Sequence, residues 1–308
     1  MTAAAPKSSA LYAQLVLLAA IWGGSFLFMR MGGGEFGPVA LAGLRVIGAG
    51  LLLWPLLMLR GQTRHVWPHA GHILVVGLLN SALPFLCYAY ATRHITAGAS
   101  AIFNASTPLW SAVIAWLWLG DRLGRTRVLG LALGFGGVVA LAGSRASGAS
   151  GSALSELLLA VLACLAATMM YGVAANYAKR HLAGVPSMAV AAGSNAFAGL
   201  LMVGPTIWFW PAQPPSAGAW VAMALLALVC TGVAYVLYYH LIQNLGPSNA
   251  SSVTFLVPLF AALWGWVVLS EPVTLDMIAA GSVIFAGTAL VMGLAERLLA
   301  RRRAAPLL

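Results

Sequence analysis

Charge is what this chain has least of. Charged residues make up 7% of its 308, and only six are acids. A soluble domain carries roughly a quarter charged residues, so there is too little charge here to coat a water-facing surface. The acids Glu35, Asp121, Glu156, Glu271, Asp276 and Glu296 all fall near the ends of apolar runs or between them. No carboxylate is therefore placed as a relay in the middle of an apolar run. Cysteine is also scarce. Cys87, Cys164 and Cys230 lie in three separate runs and read as small apolar packers, not as a disulfide or metal set. HExxH, GxSxG, a P-loop and an acid-rich diphosphate motif are all missing. Without such polar chemistry a membrane-embedded enzyme is disfavoured, and no cofactor is implied. His65, His69 and His72 cluster near Pro68, but no helical face presents all three, so no metal is expected.

What is present is apolar length. Hydrophobic residues reach 61%, with mean hydropathy +0.93. Runs near twenty residues recur throughout, each long enough as a helix to cross the hydrocarbon. They predict an all-α membrane protein with ten transmembrane helices at about 11–31, 38–58, 71–91, 96–119, 127–143, 154–176, 187–209, 218–241, 249–269 and 274–294. The first run contains Trp22-Gly23-Gly24 and lacks a clean cleavage site, so it reads as a span and not as a signal peptide.

The chain also repeats itself. Tyr88 to Gly143, moved forward by 150 residues, lands without a gap on Tyr238 to Gly293. Pro108-Leu109 meets Pro258-Leu259, Trp116 meets Trp266, and Asp121 meets Glu271. The organisation expected is a first repeat over 1–143, a linker over 144–153, a second repeat over 154–294 and a basic tail over 295–308. Five spans per repeat is odd, so the second repeat must insert upside down.

The bases agree. Lys7, Arg60, Arg64, Arg122, Arg125, Arg127, Lys179, Arg180, Arg297, Arg301, Arg302 and Arg303 fall on the side of the termini, against Arg30, Arg93 and Arg145 on the other. The positive-inside rule then puts both termini in the cytoplasm. Much of the +10 net charge reflects this asymmetry. Scattered over inner loops, these bases suit acidic lipid headgroups and make no nucleic-acid footprint.

Polar groups inside spans mark candidate sites. Arg45 is the one charge well inside a span. Two roles are open to it: binding a carboxylate or phosphate, or a structural role by snorkelling outward or pairing with Glu35 or Glu156. Asn80, Asn104 and Asn195 are mid-span amides that need a partner across helices or a hydrated pocket. Asn195 falls near the repeat position of Arg45. Pro84, Pro108 and Pro258 each free a backbone carbonyl, and Pro108 and Pro258, as repeat mates, are the expected paired hinge. Trp22, Phe85, Tyr88, Tyr90, Trp110, Tyr171, Tyr235 and Tyr238 gather in the same region, and for the site residues Trp22, Tyr88, Trp110, Tyr171 and Tyr235 lining a cavity and packing between helices compete. Gly130-x-x-x-Gly134 permits close helix approach, within the bundle or in a homodimer, and does not choose between them.

Trp22-Gly23-Gly24-Ser25-Phe26, Pro38 followed by Arg45, Asn104 to Pro108, Leu119-Gly120-Asp121 and Leu269-Ser270-Glu271-Pro272 together resemble the EamA-type drug/metabolite transporters. The resemblance covers about residues 12–294, with Ser270 standing where a glycine is usual. It implies an inner-membrane, multi-pass carrier of small molecules, exporting amino acids or related metabolites by alternating access. Efflux of toxic compounds is the alternative function. It also implies that Trp22, Pro84, Trp110 and Tyr171 line a central cavity.

Overall fold

The computed structural model of the chain describes residues 8–147 and 150–293. Lys7, the expected tail at 295–308 and part of the linker lie outside the described residues. Described residues that form regular structure are helical throughout, without a strand. This follows from the solvent: in hydrocarbon a helix satisfies every backbone N–H and C=O within itself.

The elements are α1 (Ser8–Leu59), α2 (Thr63–Ala91), α3 (Ala97–Asn104), α4 (Thr107–Leu119), α5 (Arg125–Ala146), α6 (Gly151–His181), α7 (Ser187–Trp208), α8 (Ala217–Leu245), α9 (Pro247–Ala250), α10 (Val253–Leu269) and α11 (Leu275–Val291). Seven described helices are long and apolar enough to cross a membrane: α1, α2, the α3–α4 run, α5, α6, α7 and α8. Two shorter apolar helices, α10 and α11, have 17 residues each. The longest, α1, is two helices joined at Gly37, whose φ of 72° and ψ of 162° are not helical. Pro38 disfavours helical geometry at the residue before it and suits the start of the next helix. Glycine alone meets the positive φ without a Cβ clash.

Three sets of contacts exchange partners under the repeat. A Cβ on Gly23 would lie 2.8 Å from the Ala261 backbone nitrogen, and one on Gly172 would lie 2.9 Å from the Ser111 nitrogen. The pairs correspond when Gly23 moves forward by 149 positions onto Gly172 and Ala261 moves back by 150 onto Ser111. Likewise Gly50 meets Ala196 while Gly199 meets Ile47. Gly137 meets Ile284 while Gly287 meets Gly134. In the last two sets the residue number rises on one helix as it falls on the other. The second arm of α1 against α7, and α5 against α11, therefore run antiparallel. The Gly130-x-x-x-Gly134 motif is occupied inside the chain by α11, where two backbones touch without intervening side chains.

Both π-helical stretches, Leu78–Ala82 within α2 and Leu225–Val233 within α8, occupy corresponding places in the repeat. So do the left-handed residues that end α4 and α10, Gly120 (φ 71°) and Ser270 (φ 54°). The expected linker is shortened from both sides, because α5 continues to Ala146 and α6 begins at Gly151.

Candidate substrate cavity

Both repeats contribute to one internal cavity of about 310 Å³. Its walls include the repeat pairs Trp22 with Tyr171, Phe26 with Ala175, Asn80 with Cys230, Tyr88 with Tyr238, Asn104 with Thr254 and Thr107 with Val257. A space walled by both members of each pair lies between the halves.

Local backbone breaks shape these walls. Between α3 and α4 the helix stops for Ala105 and Ser106, and between α9 and α10 for Ser251 and Ser252. Interrupted helices are tolerated at membrane depth where they border protein or a cavity. The π-helical stretches carry Asn80, Cys230 and Thr231 into the lining. An extra residue per turn leaves main-chain carbonyls off the usual ladder, and the Thr231 hydroxyl donates to one of them, Leu226 O, at 2.9 Å.

Arg45 lines this cavity with 5% of its surface exposed. Its Nε donates to Thr231 Oγ1 at 2.9 Å, its Nη1 to Met29 Sδ at 3.4 Å, and its guanidinium carbon stands 3.6 Å from the Phe85 ring centroid. The expected structural partners are engaged elsewhere. Glu35 accepts from Ser216 and Glu156 faces His94 at 3.3 Å. The pairing expectation is thereby corrected: among the described residues Arg45 has no acidic partner, because the acids sit at the helix ends.

The other expected residues divide. Asn80 donates to the Tyr235 hydroxyl at 3.3 Å and Tyr88 donates to Asn104 Oδ1 at 3.0 Å, so both amides find partners across helices while lining the cavity. Trp22, Tyr171, Tyr235 and Pro108 line it as well. Asn195 is fully buried behind the wall and donates to Ala191 O at 2.9 Å in its own helix. Trp110 also stands outside. It packs edge-on against Phe135, with ring centroids 5.0 Å apart, and its backbone receives Gly172. Pro84 is buried in the turn after a π-helical stretch, away from the lining, and Pro258 is buried inside α10 beside the lining residue Val257.

The two prolines of the expected hinge are not equivalent. Pro108 stands in the first turn of α4, where a missing N–H costs nothing, and the Asn104 carbonyl accepts from Thr107 Oγ1 at 2.8 Å. Pro258 sits past the first turn of a continuous helix. The sequence does not single out Ser25, Met29, Thr231 or Thr254, and it places Phe85 and Tyr238 among the gathered aromatics without marking them as site residues. Tyr238 and Thr254 were reachable through the repeat, as the mates of Tyr88 and Asn104.

A second cavity of about 350 Å³ shares Asn80, Ala175, Tyr235 and Tyr238 with the first. It extends along Ala178, Leu182, Val185 and Ser187, toward the end of the bundle that holds Lys179. Each end carries an ion pair between the halves. At one end Arg30 pairs with Glu271, whose side chain is 8% exposed. Arg30 also donates to Thr92 O at 2.7 Å, and Glu271 accepts from the Ala97 N–H at 2.9 Å. At the other end Lys179 meets Asp121 at 3.5 Å, with side chains 64% and 45% exposed. Lys179 is the repeat mate of Arg30, and Asp121 of Glu271. The equivalent pair is thus buried on its acidic side and multiply bonded at one end, open and loose at the other.

A multi-helix membrane protein with a small cavity between two similar halves belongs to the class of membrane transporters. The profile of the EamA-like transporter family matches residues 10–143 and 158–293, and the chain belongs to that family. It is 27% identical over 289 residues to the uncharacterized inner membrane transporter YedA of Escherichia coli K12, covering 92% of this chain and 91% of that one. It is 26% identical over 285 residues to the uncharacterized transporter YvbV of Bacillus subtilis, covering 90% of each. An uncharacterized protein of Pseudomonas aeruginosa, PA1977, is 30% identical over 263 residues, covering 82% and 84%. A protein of known crystal structure matches 95% of this chain and 99% of its own at TM-score 0.65 and 23% identity, a likeness of fold. Family and relatives alike point to transport and not to catalysis.

Proposed function

We propose that the chain is a ten-span, inverted-repeat carrier of the inner membrane, with both termini cytoplasmic. It exports amino acids or related metabolites by alternating access. The inverted arrangement is supported by the antiparallel contacts that exchange partners under the repeat. A two-fold axis perpendicular to the helices is what such contacts require. Counting the arms of α1 separately and adding α10 and α11 brings the seven long helices to ten.

The single observation that carries alternating access is the pair of repeat-related ion pairs at opposite ends of the cavity. The Arg30–Glu271 pair closes the outer end while the Lys179–Asp121 end stands loosened toward the cytoplasm. Rocking the halves exchanges the two conditions, because the same residue positions meet at either end. Substrate lies among Trp22, Asn80, Tyr88, Asn104, Tyr171 and Tyr235, where rings supply apolar surface and amides orient polar groups. Asn195 and Trp110 support that wall from behind.

The test is solute counterflow into proteoliposomes from a mixed metabolite pool, with and without an imposed pH gradient. Protein-dependent exchange of a small metabolite is expected. It should not be driven by the pH gradient, since no carboxylate among the described residues lines the cavity. A preparation that moves no solute but alters lipid would overturn the carrier reading in favour of an enzyme.

A further inference from the structure

We infer that the carried substrate is a singly charged organic acid with an apolar or aromatic body, held by its carboxylate on Arg45. The inference rests on the carrier reading and narrows it to a chemical class.

A guanidinium offers five N–H donors and stays charged at any physiological pH. In Arg45 one donor is used by the Thr231 hydroxyl and one by the Met29 thioether. Neither acceptor carries charge, and the Phe85 ring supplies only its π face. A buried cation without a counter-charge is strongly unfavourable, so the site is incomplete as the protein alone forms it. The contacts nevertheless fix the group. Thr231 is anchored in turn on Leu226 O, and the Phe85 ring centroid lies 3.6 Å from the guanidinium carbon, while no contact through Nη2 is among those that hold the group. A planar fork held in place matches a carboxylate through two parallel hydrogen bonds.

The remaining walls limit what is attached to that carboxylate. Among the described residues neither an acid nor a second base lines the cavity, so a substrate ammonium finds no charge partner. A single described base, Arg45, disfavours dianionic phosphates. Trp22, Tyr88, Tyr171 and Tyr238 supply ring surface for an apolar body. At about 310 Å³ the space suits a metabolite of modest size. An α-amino group is accordingly tolerated but not required.

Three probes with one phenyl body separate the charge classes: 3-phenylpropionate, phenylalanine and phenethylamine. Ligand-dependent thermal stabilisation of the purified protein should rank the acid first, the zwitterion second and the amine last. Arg45→Gln should lose at least tenfold in affinity for the acid, and Arg45→Lys less. Thr231→Val, which keeps the charge but loses the Nε anchor, should lose several-fold, so the inference stays testable if Arg45→Gln does not fold. The inference is overturned if the amine binds as well as the acid. It is equally overturned if folded Arg45→Gln binds the acid like the parent, or if acids from butyrate to indole-3-propionate all fail to bind. Counterflow of 3-phenylpropanesulfonate, a permanent anion, keeps the two readings apart. Arg45-dependent binding without movement defeats the carrier and leaves this assignment standing; movement of the amine alone does the reverse.

Discussion

At the scale of single residues, the informative groups are the polar ones whose partners are unusual. Glu35 is exposed at the kink of α1, yet it ties that kink to the start of α8. It accepts the Ser216 N–H at 2.6 Å and the Ser216 hydroxyl at 2.8 Å. Those bonds, the backbone one foremost, hold its carboxyl below the ordinary carboxylate value of 4.5. A folded-state pKa below the unfolded one means the contribution is fully present above the unfolded value. It is lost as pH falls through the folded value. The melting temperature should therefore decline below about pH 4.5, and that part of the decline should be absent in Glu35→Gln. A parallel decline in both proteins would show that Ser216 gains nothing from the charge. Serine at position 270 is a second residue-level signal. It occupies a left-handed conformation that its mate Gly120 adopts without a Cβ, so its presence predicts strain at the end of α10.

That strain is measured at the scale of the element it terminates. Ser270→Gly should stabilise the α10 terminus by about 1 kcal/mol, seen as a raised melting temperature in detergent with transport unchanged. Helix crossings provide the opposite case. Gly172 lets α6 lie against the backbone of α4 at Trp110 and Ser111. Gly172→Val has no flexible neighbour to displace and should cost about 1–3 kcal/mol or abolish accumulation of folded protein. Gly136→Val, with nothing near its missing Cβ, is the matched control and should be neutral in the same fluorescence-detected chromatography. Comparable losses at both positions would mean that helix propensity, not crossing distance, governs these glycines. The elements themselves were largely legible. Apolar run length located every long helix, since in hydrocarbon length and hydropathy leave little choice. Less visible were the π-helical stretches and the breaks after Asn104 and Ala250, because no single residue type marks them.

For the whole molecule, the consequence is asymmetry between two ends built from equivalent residues. Arg30–Glu271 is buried on the Glu271 side and reinforced by backbone bonds, whereas Lys179–Asp121 is solvent-exposed. An exposed pair contributes about 0–1 kcal/mol, while stranding a buried carboxylate costs several. Arg30→Gln should therefore loosen that end, raising amide exchange at 92–96 and 270–274 about tenfold or more. Lys179→Gln should change exchange little. The exchanged pair Arg30→Glu with Glu271→Arg should restore part of the protection. If the two single variants respond alike, the ends do not differ in the way their burial indicates.

The amino-acid sequence by itself determined the class and the pattern. Low charge and long apolar runs exclude a soluble fold, the offset of 150 residues announces two related halves, and the bases favour one orientation. Of the polar and aromatic groups it singled out, Trp22, Arg45, Asn80, Tyr88, Asn104, Tyr171 and Tyr235 border the cavity; such groups are costly in lipid, which is what made them visible. Only the tertiary structure decided which of them meet. Trp110, Asn195, Pro84 and Pro258 carry the same residue-level signal as Trp22, Asn80 and Pro108, and they are not among the residues that line the cavity. A run of apolar helix presents residues all around its axis, and the facing helix, often distant in sequence, selects the side that borders the cavity. The same reason hid the surroundings of Arg45, which among the described residues are a hydroxyl, a thioether and a ring, with no acid.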